Sequence, residues 1–335
     1  MRLAVFDAHS YDREAFQAAN GRYGHELVFF EPRLDCHTAV VARGFPAVCS
    51  FVNDRLDADT LAQLKDVGVR LVALRSTGFN HVDLEAARRL DLTVVRVPEY
   101  SPHAVAEHAF GLLLALIRKI PRAAARVREA NFALDGLVGV DLYGKTLGLV
   151  GTGRIGAAAA RIAAGFGCRV LAHDPRPDDA LAGETGLQYV ALDELFQAAD
   201  VISLHVPLTR ATRHIVDEAA FGRMKPGVVL INTSRGALID TRALITALKS
   251  GRIGAAGLDV YEEEEGLFFQ DHSDEVLQDD VLARLLTFPN VLITAHQGFL
   301  TREALANIAT TTLGSLTAFE RGERLIHEVR ASGPP

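Results

Sequence analysis

Short apolar runs recur along the chain at intervals that leave room for one helix between each pair. From the N-terminus they read LAVF at 3–6, LVFF at 27–30, AVCSF at 47–51, LVAL at 71–74 and TVVRV at 93–97, separated by helical patterns such as ADTLAQLKDV and LEAARRL. Continuous apolar runs of this length suit strands buried on both faces, and their alternation with helices predicts a parallel sheet built from βαβ units. A second series follows: TLGLV at 146–150, a long Ala-rich helical pattern, then CRVLAH, VISLHV, GVVLIN, GAAGLDV and NVLIT. Between the two series, VAEHAFGLLLALIRKI and the segment opened by Pro121 read as consecutive helices, proline being tolerated in a first helical turn. After Phe299 the stretch TREALANIATTTLGSLTAFERG reads as one more long helix, expected to return to the first sheet. The prediction is an α/β protein of two parallel-sheet domains, Rossmann-like and flavodoxin-like. Residues 1–100 with 300–335 make one domain and residues 101–299 the other.

Composition narrows the classes. With 335 residues, 49% of them apolar, the chain has material for two ordinary cores. The formal net charge is −7 and the basic residues are scattered, so no electrostatic footprint for nucleic acid is present. The opening MRLAVFDAHS reads as a strand rather than a secretory signal, and the apolar stretch Phe110–Ile117 falls far short of the ~20 residues that span a bilayer. The expectation is a cytoplasmic protein with no membrane partner. Cys36, Cys49 and Cys168 lack metal-ligand spacing and are expected to be reduced thiols, with no metal site.

Candidate chemistry lies in the second series. GTGRIG places Gly151, Gly153 and Gly156 directly after a predicted strand and at the start of a predicted helix. Glycines there permit a tight turn, close approach of backbone to a pyrophosphate, and helix–strand packing, while the helix N-terminus offers N–H donors. The next predicted strand ends in Asp174, where a carboxylate can accept both ribose hydroxyls of an adenosine and repel a 2′-phosphate. The cofactor expected is NAD rather than NADP.

Ligands of such sheets sit at the carboxyl ends of the strands. Arg235 follows GVVLIN, where a guanidinium fork suits bidentate capture of a carboxylate substrate. His296 follows NVLIT, a position that sets it apart from the other eleven histidines. GAAGLDV is followed by YEEEEG, and a run of charge in a loop is ordinarily a water-facing turn. A carboxylate reaching His296 from that run would favour the imidazolium and make a better general acid near neutrality. Residue types alone do not distinguish Glu262, Glu263, Glu264 and Glu265.

Taken together, GTGRIG with Asp174, HVPLT at 205–209, NTSRGALID, GLDVYEEEEGLFF and TAHQGFLT resemble the D-2-hydroxyacid dehydrogenase family over nearly the whole chain. EEEEGLFFQDHS, FVND at 51–54 and RSTGFNHVDL at 75–84 resemble its NAD-dependent D-lactate branch, in which the catalytic glutamate lies five positions after the strand-end aspartate. Counting from Asp259 reaches Glu264.

The resemblance implies Arg235, Glu264 and His296 as the catalytic set, leaving the other three glutamates as solvated charge. It implies a substrate site in the cleft between domains, with backbone N–H groups around Thr77, Gly78 and Phe79 on the substrate carboxylate and Tyr100 and Phe299 walling a small methyl pocket. On the cofactor side it implies Arg154 and Ile155 at the pyrophosphate and Val206 and Pro207 along the adenosine. Thr233, Ser234, Arg235 and Asp259 would lie near the nicotinamide, with Thr212 standing where related enzymes often carry asparagine. The small-molecule substrate implied is pyruvate or D-lactate, and the association a homodimer or homotetramer through the helices at 101–130. A sibling enzyme for phenylpyruvate, a branched-chain keto acid or glyoxylate is the alternative, and an NAD(H)-sensing corepressor-like protein the remote one.

Overall fold

Strands form where the apolar runs fall. The structure, a computed structural model, describes residues 1–331 and divides into two units, one made of Met1–Ser101 with the chain from Phe299 onward and the other of Pro102–Gly298. The first unit has five strands, β1 (Arg2–Val5), β2 (Glu26–Phe29), β3 (Ala47–Ser50), β4 (Leu71–Leu74) and β5 (Thr93–Arg96). They pair in the order β2-β1-β3-β4-β5, every pair parallel. This is the flavodoxin-like order, with its topological switch between β1 and β3. LVAL of β4 and AVCS of β3 are buried at every position, as a sheet covered on both faces requires. The long helix Arg302–Glu320 packs along the helix Ser10–Asn20 of the same unit, and His25 Nε2 meets Thr317 Oγ1 at 2.9 Å. Beyond it, Val95 and Glu328 form an antiparallel bridge, so the C-terminal stretch covers the edge of β5.

The second unit has seven strands: β6 (Thr146–Val150), β7 (Arg169–His173), β8 (Gln188–Tyr189), β9 (Val201–Leu204), β10 (Val228–Asn232), β11 (Ile253–Leu258) and β12 (Val291–Ile293). Their order is β12-β11-β10-β9-β6-β7-β8, all parallel, which is the Rossmann arrangement extended by one strand. The two-residue β8 escapes sequence reading because it is too short to show a period. The sheet reverses direction of winding between β6 and β9, and the glycine loop leaves β6 at that point. The apolar helix Pro102–Ile117 lies on the helix Arg154–Gly165 and on β11, burying Val105, Phe110 and Leu113. Asp178, Asp217, Asp240 and Asp279 each accept a backbone N–H at a helix start, an arrangement that typically contributes about 1 kcal/mol per helix. Among the described residues no helix is long and apolar enough to cross a membrane, and all three cysteines are free thiols.

Candidate active site

The strand ends of the second unit gather most of the expected residues. After β6 the chain turns at Gly151, whose φ of +96° is a left-handed conformation that side chains rarely adopt. A Cβ on Gly156 would lie 2.1 Å from the Gly151 carbonyl oxygen, so helix and turn are seated backbone on backbone. At Gly153, by contrast, a Cβ would meet nothing within 4 Å. That open shoulder, at the uncapped start of the twelve-residue helix Arg154–Gly165, has the shape and the N–H donors to receive a pyrophosphate. Arg154 is exposed and Ile155 half-buried in its first turn. Asp174 follows β7, accepting the Thr152 N–H at 2.8 Å and the Arg176 N–H at 2.9 Å. Burial would raise its carboxyl, but these hydrogen bonds hold it below the usual carboxylate range. Val206 touches the glycine turn, and the Thr212 hydroxyl donates to the Pro207 carbonyl at 2.6 Å, closing the loop after β9.

Arg235 sits past β10 in extended backbone and donates from Nη1 to the Ser234 carbonyl at 2.6 Å. The Ser234 hydroxyl donates to the Leu204 carbonyl at 2.9 Å, which ties the loop to β9. Thr233 Oγ1 is buried with no partner among the described residues, an orphaned polar atom of the kind a bound ligand satisfies.

His296 Nδ1 lies 2.8 Å from Glu264 Oε1, and Glu264 Oε2 accepts the Tyr261 N–H at 3.0 Å. The structure thus brings together the histidine and the glutamate expected for it. A carboxylate only accepts, so Nδ1 carries a proton in both states of the ring and Nε2 is the atom that gains or loses one. Phe269 flanks the imidazole with ring centroids 5.9 Å apart. No hydrogen bond or ion pair joins Arg235 to either residue among those described, so Arg235 stands apart from the pair.

His296 has φ +53°, a strained setting held from beneath by Asp259. The Asp259 carbonyl accepts the His296 N–H at 2.7 Å, and its carboxylate accepts from Thr294 Oγ1 at 2.6 Å and from the Gln297 and Gly298 N–H groups at 2.9 Å each. His108 Nε2 lies 3.2 Å from the same carboxylate. Burial would raise the Asp259 carboxyl, but hydrogen bonds from His108, Thr294 and Gly298 hold it low. At 1% exposure its carboxylate is engaged by the protein, a bracket for the histidine turn that sequence reading did not separate from cofactor contact.

The four glutamates divide by alternation. Glu263 and Glu265 are exposed, as expected of a charge run, whereas Glu262 is a correction to that expectation. Its carboxylate accepts from His214 Nε2 at 2.6 Å, Arg213 Nη2 at 3.3 Å and Thr241 Oγ1 at 3.2 Å, and only 15% of its side chain is exposed. It is anchored by residues far away in sequence, which no local pattern reveals.

In the first unit, the loop after β4 carries Thr77, Gly78 and Phe79. Arg96 Nη1 donates to the Thr77 carbonyl at 2.8 Å and Ser76 Oγ to the Gly78 carbonyl at 2.8 Å, while none of the described residues accepts from the N–H groups of Thr77, Gly78 or Phe79. The Phe299 ring is ringed by Tyr100 at 6.3 Å, Phe51 at 6.0 Å and Tyr11 at 6.4 Å. Phe51 and Tyr11 were missed, although Phe51 directly follows the apolar run of β3. Arg75, 2% exposed, also escaped notice: it donates to the Phe6 and Asp7 carbonyls at 2.8 and 2.5 Å, pairs with Asp12 at 3.2 Å and lies over the Phe51 ring at 4.5 Å.

Residues 110–298 match the family model described as D-isomer specific 2-hydroxyacid dehydrogenase, NAD binding domain. The chain belongs to that family. It is an NAD-dependent 2-hydroxyacid dehydrogenase by membership, and its glycine cradle and Asp174 fit the cofactor. The dehydrogenase is 53% identical to D-lactate dehydrogenase of Escherichia coli (strain K12), over 98% of this chain and all of that protein. Its fold matches the apo-structure of D-lactate dehydrogenase from Escherichia coli with a TM-score of 0.91 at 51% identity, covering 98% of this chain and 100% of that one. It also matches D-lactate dehydrogenase with NAD+ from Lactobacillus jensenii with a TM-score of 0.83 at 33% identity, covering 99% and 100%.

Proposed function

We propose that this dehydrogenase interconverts pyruvate and D-lactate. The observation that carries the reading is the His296–Glu264 pair at 2.8 Å, set on a strained turn at the carboxyl end of a Rossmann sheet. Its similarity to D-lactate relatives over essentially its full length supports the choice of substrate.

Gly151, Gly153, Gly156 and Asp174 would hold NAD, which when bound would provide the hydride as NADH for reduction and take it up as NAD+ in the reverse direction. The protein's own residues do the rest. Arg235 holds the substrate carboxylate and polarises the carbonyl, a role in which losing one comparable donor typically costs roughly 10²–10³-fold. Protonated His296 gives the proton on Nε2 to the oxygen that becomes the hydroxyl, and the neutral ring takes it back in the reverse reaction. Glu264, 2.8 Å from Nδ1, keeps the ring oriented.

We place the enzyme in the cytoplasm, which suits three free cysteines, and infer that it is a homodimer or homotetramer. Phe132, Leu134, Val138 and Tyr143 of the second unit are 72–83% exposed, an apolar stretch that a second copy would cover.

The test is a substrate panel: NADH oxidation with pyruvate, phenylpyruvate, a branched-chain keto acid and glyoxylate, followed by chiral analysis of the product. Pyruvate is expected to be the preferred substrate and D-lactate the product. Preference for a larger keto acid would overturn the substrate, and absence of any turnover with tight NADH binding would overturn the enzyme. Light scattering checks the assembly, with a monomer as the contradicting result.

A further inference from the structure

Glu262 remains unexplained by the chemistry above. Its carboxylate joins three separate segments: Arg213 and His214 from the loop after β9, Thr241 at the first turn of the helix Thr241–Lys249, and its own turn after β11. Two of those segments lead to residues with a role in the proposed chemistry. Thr241 lies six residues past Arg235, and Glu264 two residues past Glu262.

The junction is tight. A Cβ on Gly236 would lie 2.0 Å from the Tyr261 carbonyl carbon and 2.3 Å from the Glu262 nitrogen, so the backbone just after Arg235 rests directly on the peptide that joins Tyr261 to Glu262. His214 closes the third side by donating its N–H to the Ala237 carbonyl at 2.9 Å, and it does so with φ +51°. A histidine in that conformation persists where its surroundings over-determine it. The Glu262 carboxylate on its ring, at 2.6 Å, is one of those constraints.

We propose that Glu262 is a positioning residue that fixes the Arg235 segment against the Glu264 turn, so that the carboxylate grip and the proton donor keep one mutual geometry. The proposal rests on the dehydrogenase reading and concerns a residue that touches no substrate in it. Displacement of a reacting group by about 1 Å can cost ~10²-fold in rate, so a loosened junction acts on turnover rather than on cofactor affinity.

The experiment compares wild type, Glu262→Gln, Thr241→Val and, as control, Glu265→Gln at an exposed neighbour. Glutamine keeps the volume but turns one acceptor into a donor facing His214 and Arg213 or facing Thr241. Thr241→Val removes one bond and leaves the histidine contact. Each protein is measured for kcat and KM with the 2-keto acid that wild type turns over fastest, for NADH affinity by fluorescence titration, and for thermal midpoint. Expected for Glu262→Gln is a fall in kcat/KM of roughly 10- to 100-fold, a smaller fall of the same kind in Thr241→Val, NADH affinity within about twofold, and no change in Glu265→Gln. Wild-type turnover in both junction variants would overturn the proposal. So would a loss of turnover that only parallels a loss of folded, NADH-binding protein. A wild-type enzyme silent toward every 2-keto acid would overturn the dehydrogenase reading itself and the proposal with it, a result seen in a different sample from the variants.

Discussion

Replacing Glu264 by glutamine removes one charge from the His296 pair while preserving its shape. The amide retains an acceptor for one of the two donors, His296 Nδ1 and the Tyr261 N–H, that hold the carboxylate. Both side chains are sheltered, at 16% and 19% exposure, and lie 2.8 Å apart. For charge centres ~4 Å apart in such a setting the attraction is about 4 kcal/mol at an effective dielectric of ~20. Water that still reaches the pair weakens this, and a neutral hydrogen bond of about 1 kcal/mol survives in the variant. Losing that attraction together with the fixed orientation of the ring should lower turnover by roughly 10- to 100-fold. The assay is kcat/KM for pyruvate at saturating NADH, with NADH affinity and thermal midpoint measured alongside. The loss should fall on kcat/KM while NADH affinity and thermal midpoint stay near those of wild type. Turnover near that of wild type, or a loss that only follows weaker NADH binding or a lower thermal midpoint, would refute the role given to Glu264.

Three further outcomes are expected. Arg235→Lys keeps the charge but not the planar fork, and should lower kcat/KM for pyruvate roughly 10²-fold or more; turnover near that of wild type would remove Arg235 from the mechanism. Asp174→Ser takes away the carboxylate that faces a ribose and repels a 2′-phosphate, so the preference for NADH over NADPH should narrow by about tenfold or more; an unchanged ratio of kcat/KM values would contradict it. His205 is partly exposed, yet its Nδ1 is buried without a partner and its Nε2 meets Ser203 Oγ at 2.9 Å, and burial pushes its pKa down to about 4. Since the unfolded histidine takes up its proton near pH ~6.5, the stability it confers is present above that pH and lost as pH falls toward 4, about 2 kcal/mol after allowing for its exposed part. Urea midpoints of the cofactor-free protein across this range should fall less steeply in His205→Gln, and equal slopes would contradict the assignment.

The fold was legible because parallel strands buried on both faces must be continuous apolar runs, and LVAL, TLGLV and VVLIN are such runs. The candidate residues could be named for a related reason: ligands meet these sheets at strand ends, which singles out Arg235 and His296. What escaped the sequence is what tertiary contact alone decides. Four consecutive identical letters hide that Glu262 and Glu264 turn inward and Glu263 and Glu265 outward, an alternation imposed by distant partners at 213, 214, 241 and 296. Asp259 reads as a strand-end carboxylate open to ligand, yet Thr294, Gln297 and Gly298 fold back over it. Arg75 has no local pattern that marks it, and only the fold places its guanidinium on the carbonyls of residues 6 and 7.

The central claim, that His296 passes a proton to pyruvate on its way to D-lactate, is tested most directly by His296→Asn. Asparagine is among the few residues that tolerate the left-handed backbone at that position, so the turn is preserved while the titratable ring is lost. Initial rates of pyruvate-dependent NADH oxidation are measured for wild type and variant side by side, with NADH binding confirmed in both. The account predicts rapid turnover by wild type and a loss of roughly 10²–10⁴-fold in the variant. A variant that keeps more than about a tenth of wild-type turnover would contradict it.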